Sequence, residues 1–406
     1  MNRAQISAAN CCGGLFAALL CFLTCEAHAV QTPSPGELIW ANSGFAFNLF
    51  KQLIADQPET NIFISPYSAS TVLQMVCSGA AGATSTEMQQ MLGTIDMPSA
   101  ALYEANKEIS DMINAANTNF VLTAANAIWY KKGFQVEPAF IQRNEDYFGA
   151  EVAALNFSAP ASVGIINAWA SEKTQGKIDQ IVSPPLDSAI RLLLANAVYF
   201  HGNWEYQFDT NYTTNRIFEL AGGAQESIPM MEQTASFSYC ATNGYQAVRL
   251  PYKGSNLAMY VFLPGPDSSL GELLGTMSGQ WWQQTISGGF ADQTGTIILP
   301  RFNLNYSANL NEPLQALGMV SAFSPDADFS KISRDSLHVS EVKQQAIVEV
   351  NEEGTVAAAV TTVTVVDSAV PAGPPPFLMI VNRPFVFFIE DQQAGTILFM
   401  GAVFEP

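Results

Sequence analysis

Side chains able to do acid–base or nucleophilic chemistry are sparse in this 406-residue chain. Three histidines occur, His28, His201 and His338, and His28 lies in an N-terminal stretch that reads as removable. No serine stands in a G-x-S-x-G elbow, and no H-E-x-x-H, C-x-x-C or G-x-G-x-x-G occurs. Gly176-Lys177 lacks the earlier glycine that a phosphate-binding loop requires. Acidic residues are plentiful, but spacing alone brings no catalytic carboxylate pair together. His201 and His338 are therefore read as structural. The chain is not expected to be an enzyme, and no metal or cofactor is expected.

The distinctive stretch is residues 352–376, EEGTVAAAVTTVTVVDSAVPAGPPP. From Thr355 to Val366 it contains only Thr, Val and Ala, without charge, Gly or Pro. β-Branched residues favour extended backbone, so the run is competent to form a strand. On alternate positions Thr355, Ala357, Ala359, Thr361, Val363 and Val365 would face one way, and the opposite face is equally uncharged. The run ends in Asp367, Ser368 and a Pro/Gly segment, which is loop composition. It is thus either an ordinary buried strand or a segment kept out of a sheet it could join.

The elements around it read as follows. An amphipathic helix is predicted over 36–57 and a short strand over 61–64. Ser65-Pro66 looks like an N-cap with proline at the first helical position, opening a helix toward Gly79. Thr84 to Glu87 has a capping-box pattern, and further helices are expected over 100–116, 138–148 and 164–175, the last closed by Gly176. Residues 120–130 read as a strand, and 191–200 as an apolar strand buried on both faces. Strands and turns alternate over 213–263. A helix is expected over 270–286, a strand over 296–299 and a helix over 310–317. A long strand within 337–351 leads into the distinctive stretch, and a hairpin of 384–389 with 396–403 closes the chain. Helices and strands intermixed without strict alternation argue a mixed α/β architecture of the α+β type.

Several long motifs, in one order, are similar to those of the serpins. They are NIFISPYSAS (61–70), NAIWYKKGF (126–134), NAWASEKTQGKI (167–178), LLANAVYFHGNWEYQF (193–208) and LPYKGSNLAMYVFLPG (250–265). EEGTVAAAVT (352–361), NRPFVFFIED (382–391) and GTILFMGAVFEP (395–406) complete the series, so the resemblance covers essentially everything after about residue 36. It implies the serpin fold, three β-sheets with about nine helices and an exposed reactive-centre loop at about 353–376, within a single domain over 30–406.

The resemblance also implies a mechanism. A protease attacks the exposed loop and forms an acyl-enzyme, and the cleaved loop then enters the main sheet as an added strand, dragging the enzyme with it. About a dozen new ladder hydrogen bonds at roughly 0.5–1.5 kcal/mol each amount to on the order of 10 kcal/mol, comparable to the whole stability of a domain. Carried over position by position, the hinge comprises Glu352, Glu353, Gly354, Thr355, Val356, Ala357, Ala358, Ala359, Val360 and Thr361. Thr355 and the three alanines are small, as in inhibitory members; Val360 is bulkier than usual and would slow insertion slightly. The same count places the scissile bond at Ser368–Ala369, with Asp367 the alternative. A small residue there suits an elastase-like or subtilisin-like serine protease. An Asp-selective or papain-like cysteine protease is the alternative target, and a non-inhibitory role the alternative function. Ser65, Ser68 and Asn196 match the polar cluster under the opening of the sheet, with Gln344 where the family usually has His. Trp204 matches a tryptophan at the top of that sheet.

Composition bounds the partners. Seventeen basic residues against 36 acidic give a net charge of −19, which disfavours nucleic acid and a heparin-like polyanion. Arg3, the apolar run 11–24 and Ala27-His28-Ala29 form a secretory signal over 1–29, implying an extracellular protein, or a periplasmic one in a bacterium. No membrane association is expected after its removal. Cys11, Cys12, Cys21 and Cys25 would leave with the signal, and Cys77 and Cys240 are read as buried thiols. The expected state is a monomer that makes a covalent acyl complex with its protease, with loop–sheet polymers as a hazard of the β-prone run.

Overall fold

Helix α1 (Pro35–Asp56) buries Leu38, Phe45, Leu49, Phe50 and Leu53 and leads to a short buried strand, β1 (Ile62–Ile64). The computed structural model describes residues 35–115, 120–187, 190–355 and 375–406, without the side chains of 120–124 and 355. The described residues fall within one compact unit, Pro33–Pro406. The signal-like segment 1–29, the hinge positions from Val356 to Thr361, and the bond candidates Asp367, Ser368 and Ala369 lie outside the described residues.

Helix α2 (Pro66–Cys77) starts as its sequence predicts. The Ser65 hydroxyl oxygen accepts from Ser68 N at 3.3 Å, and Pro66 occupies a position whose N–H would have no helical acceptor. Helix α3 (Gly82–Leu92) starts differently from expectation. Its N-cap is Ala81, without a side-chain cap, and the capping-box candidates serve tertiary contacts instead. Thr84 Oγ1 accepts from Asp328 N at 2.9 Å, while Glu87 accepts from Val320 N at 3.0 Å and from Ser321 N and Oγ at 2.6 Å each. The Val320 and Ser321 amides of a distant turn hold that carboxylate in place of the helix's own N-terminus.

The chain continues through α4 (Ser99–Ala115), β2 (Phe120–Lys131), α5 (Pro138–Phe148), β3 (Glu151–Leu155), α6 (Ala161–Lys173) and β4 (Leu192–Asn203). Then come β5 (Thr214–Glu219), β6 (Gln225–Ala241), β7 (Tyr245–Pro251) and β8 (Leu257–Pro264). The single helix expected over 270–286 is two, α7 (Leu270–Thr276) and α8 (Gly279–Gly288), broken at Met277, which is extended and fully buried. Both halves are capped, α7 by a Ser269–Glu272 capping box and α8 by the Ser278 hydroxyl accepting from Trp281 N. Strands β9 (Ala291–Pro300) and β10 (Phe302–Asn309), helix α9 (Asn311–Ala316), and strands β11 (Val339–Val350), β12 (Gly354–Thr355), β13 (Phe377–Ile380), β14 (Phe385–Asp391) and β15 (Thr396–Val403) complete the order.

Hydrogen bonding joins these strands into a six-stranded sheet, β10-β11-β4-β2-β3 with β12 on β4, and a nine-stranded one. The third sheet expected is continuous with the second because β6, 17 residues long, is shared. Its first part pairs with β5, its middle with β9, and its end with β7, which continues through β8, β14 and β15 to β1.

Strand β4 is covered on both faces, as its uninterrupted apolar run predicts. Leu192, Leu194, Val198 and Phe200 join the main core with α2, while Leu193, Ala195 and Ala197 pack with Trp129 and with Ile166 and Trp169 of α6. The Trp129 and Trp169 rings meet edge to face at 5.0 Å. At the edge, β10 alternates buried and exposed along its whole length.

Candidate functional site

Strands β11 and β4 run parallel from Val339↔Leu192 to Ile347↔Tyr199. Beyond Tyr199, β4 continues to Asn203 and exchanges partners: Gly354 pairs with Asn203 and Thr355 with Gly202, antiparallel. The first residues of the distinctive stretch thus already lie against β4, at the mouth of the β4–β11 ladder. Gly354 has φ +145°, and a Cβ there would collide with Gly202 O, Asn203 Cα and Trp204 N. Only glycine lets the backbones approach this closely.

The entry to β12 is held by a dense set of bonds. Residues 351–354 form a tight turn, with Asn351 N donating to Gly354 O at 2.9 Å and Glu353 N donating to Asn351 Oδ1 at 3.0 Å. Trp204, 1% exposed, donates its Nε1–H to Asn351 O at 3.0 Å and its backbone N–H to Glu353 O at 2.9 Å. Its ring stacks on Tyr252 at 4.7 Å. Phe208 N donates to Glu352 O at 2.9 Å, and Gln207 Nε2 donates to Glu353 O at 3.2 Å. The Glu352 carboxylate is buried and accepts from Arg301, whose Nε lies 2.9 Å away, and from the Thr213 hydroxyl. Burial opposes its ionisation, but the hydrogen bonds from Arg301 and Thr213, with the guanidinium charge, hold it below the usual carboxylate range.

Lower in the sheet, three amides lie side by side on adjacent strands, because Gln344 is in register with Asn196 and Asn196 with Asn126. They face the N-terminus of α2. Gln344 Oε1 accepts from Ser65 N at 3.0 Å, while its Nε2 donates to Ser65 O at 2.9 Å and to Asn196 Oδ1 at 2.6 Å. Asn196 Nδ2 donates to Asn126 Oδ1 at 2.6 Å and to the Ser68 hydroxyl. Ser68 Oγ donates to Asn126 Oδ1 at 3.3 Å. Ser65, Ser68, Asn196 and Gln344 are each at most 2% exposed. The cluster spans β11, β4, β2 and α2 without a titratable member.

The structure therefore brings Ser65, Ser68, Asn196 and Gln344 together, and separately gathers Trp204 with Glu352, Glu353 and Gly354. Sequence reading missed Asn126, although an asparagine amid apolar strand residues was the available signal. It also missed Arg301 and Thr213, which carry no local pattern at all. His201 directly precedes Gly202, the β4 partner of Thr355, and His338 precedes β11; burial lowers the pKa of each. Cys77 and Cys240 are free, buried thiols whose pKa values burial raises. At the far end of the distinctive stretch, β13 runs parallel to β9, Phe377 stacks on Tyr239 at 3.9 Å, and Gln293 Nε2 donates to Pro375 O at 2.8 Å. The segment is thus tied at one end to the six-stranded sheet and at the other to the nine-stranded one. This arrangement has the parts for a mechanical event, strand addition between β4 and β11.

Comparison with known proteins shows the family. Residues 40–406 match the family described as Serpin (serine protease inhibitor). Glia-derived nexin of Rattus norvegicus is 37% identical over 379 residues, covering 90% of this chain and 92% of nexin. Native protease nexin-1, crystallised with heparin, superposes with a TM-score of 0.83 at 32% identity, covering 92% of this chain and 100% of that one. The thermophilic serpin tengpin in its native state gives 0.82 at 31% identity, with 91% and 94% covered. The chain belongs to the serpin family.

Proposed function

We propose that this serpin is a secreted suicide-substrate inhibitor of a serine protease that accepts a small residue before the cleaved bond, elastase-like or subtilisin-like. The observation that carries this reading is β12. Gly354 and Thr355 already pair with β4 where its ladder with β11 ends, so insertion continues a strand already begun. The residues next to enter, Val356 to Ala359, are small and uncharged, and none stalls against a core by carrying charge or by lacking an N–H.

Target class follows from the loop. Lys and Arg are absent between Glu352 and Pro376, which disfavours a trypsin-like pocket, and Ser368–Ala369 is the bond we assign. Cleavage one residue earlier, after Asp367, would instead suit an Asp-selective protease. Residues 1–29 are read as the secretory signal. Protease nexin-1 was crystallised with heparin; we do not extend that ligand to this chain. Its net charge is −19, and Lys131-Lys132 is its sole adjacent basic pair.

The test is incubation with a panel of serine and cysteine proteases, followed by denaturing electrophoresis and mass spectrometry of the released peptide. An SDS-resistant complex with an elastase-like or subtilisin-like enzyme and a new N-terminus at Ala369 is expected. A new N-terminus at Ser368 would move the assignment to the Asp-selective class, and one beyond Pro371 would defeat both.

A further inference from the structure

Asn243 is the one asparagine in the chain followed by glycine. Asn243 and Gly244 lie exposed in the turn between β6 and β7, with Thr242 before them. Their bonding leaves one open to attack by the other. Among the described residues the Asn243 side-chain amide makes no hydrogen bond. Gly244 N donates to the Thr242 hydroxyl alone, at 3.2 Å, the long limit for such a bond. Apart from its chain neighbours, a Cβ at Gly244 would meet nothing nearer than that hydroxyl, at 4.0 Å. Lacking a Cβ, the glycine is free to swing its nitrogen toward the Asn243 Cγ. The exposed Asn156, Asn211 and Asn305 are instead followed by Phe157, Tyr212 and Tyr306, whose side chains crowd that approach.

We propose that Asn243 is a site of spontaneous deamidation, with water as the co-reactant, and that its isoaspartyl product slackens the grip of the β6–β7 hairpin on β13. Gly244 N gives its proton to hydroxide and attacks Asn243 Cγ. A C–N bond forms to close a cyclic succinimide, and Nδ2 leaves as ammonia, taking a proton from water. Water then opens the ring, at one carbonyl to aspartate and at the other to isoaspartate, with no change of oxidation state. Isoaspartate carries the main chain through its own side chain and so lengthens the turn by one backbone atom. Loop length sets the register of a hairpin, and this one pairs Ala241 with Gln246. Gln246 Nε2 donates to Leu378 O of β13 at 3.2 Å and to Tyr239 Oη at 2.8 Å, and the Tyr239 ring stacks on Phe377. A longer turn thus pulls on the residue that clasps β13. Neither half depends on the inhibitory reading.

The experiment is incubation of the full chain at 37 °C, at pH 7 and at pH 8, read by peptide mass mapping and by enzymatic methylation of isoaspartate. Conversion at position 243 should run about tenfold faster at the higher pH, since the attacking nitrogen must first lose its proton. It should be at least several-fold slower in Gly244→Ala, whose methyl group has room in the turn but shields Cγ. Asn156, Asn211 and Asn305 should stay intact over the same period. The site is overturned if position 243 is unchanged after a time in which a synthetic peptide of residues 240–247 is half converted. A rate indifferent to Gly244→Ala refutes the attack by Gly244. For the consequence, purified isoaspartyl protein should exchange the amides of Phe377–Ile380 several-fold faster than Asn243→Asp, which has the new charge without the longer turn. Equal exchange in the two defeats the slackening and leaves the modification standing.

Discussion

Gln344 shows how much one side chain can hold. Both of its amide atoms are used, on Ser65 and Asn196, and no bulk water replaces them when they go. Gln344→Ala should cost about 1–3 kcal/mol, because three buried polar groups lose their partner at once; a urea midpoint that does not fall would refute this. Glu352 makes a second test. Glu352→Gln should cost about 1–2 kcal/mol at neutral pH, at the low end for a charged bond because Arg301 is half exposed. The folded pKa of Glu352 lies below its unfolded value, so its contribution is complete above the ordinary glutamate range and is lost as pH falls through the folded pKa. The gap between wild type and variant in denaturant titrations should therefore close in acid and be constant above neutrality.

At the scale of the element, the inhibitory reading proposed above makes β12 and the run behind it decide whether the molecule traps a protease or is merely cut. Gly354 is pressed onto the backbone of β4, and Thr355 is the next residue to claim a place beside it. Thr355→Arg would bring a charge against the sheet as insertion begins, which is costly without a partner. The variant should be cleaved as a substrate while the SDS-resistant complex disappears; an unchanged yield of complex would mean that the loop does not enter by this route. The uncharged row was legible in sequence, but its assignment as a hinge came from the family resemblance, and its residues from Val356 on lie outside the described residues. The contacts of Glu352 were not legible, because Arg301 and Thr213 approach from separate segments with no spacing to announce them.

For the whole molecule, β4 and β11 are paired with each other, and on the reading proposed here an inserted loop would exchange that one ladder for two, a reserve that cleavage would release. Nicking near Ser368 should raise the melting temperature sharply, since about a dozen ladder hydrogen bonds on the order of 1 kcal/mol each are added. A nicked protein that melts at or below the intact one would sink the proposal of metastability. A separate pH dependence belongs to the nine-stranded sheet. Burial first, and then the neighbouring Asp391 carboxylate, push the Glu390 carboxyl up to about 7, against Tyr260, Trp282 and Arg249. Its folded pKa exceeds its unfolded one, so stability is lost from this group as pH rises from the ordinary glutamate range to about 7, then levels off. Glu390→Gln should remove that loss, and parallel stability profiles of wild type and variant between pH 5 and 8 would contradict it.

Local composition alone determined the elements whose cause is local. The apolar run of β4, the Ser65-Pro66 start of α2, the 138–148 helix and the closing hairpin were all readable from residue type and period. So were the charge balance and the uncharged stretch after Gly354. Tertiary structure alone decided which polar groups meet. Gln344 bonds Ser65 across 279 positions, and Glu87 leaves its own helix terminus for a turn 234 positions away at Ser321. It also decided that a helix expected to be continuous breaks at Met277, which is buried instead. The reason is physical: a side chain's propensity acts within a turn or two, whereas a buried polar group bonds whatever partner the packed chain brings within about 3 Å.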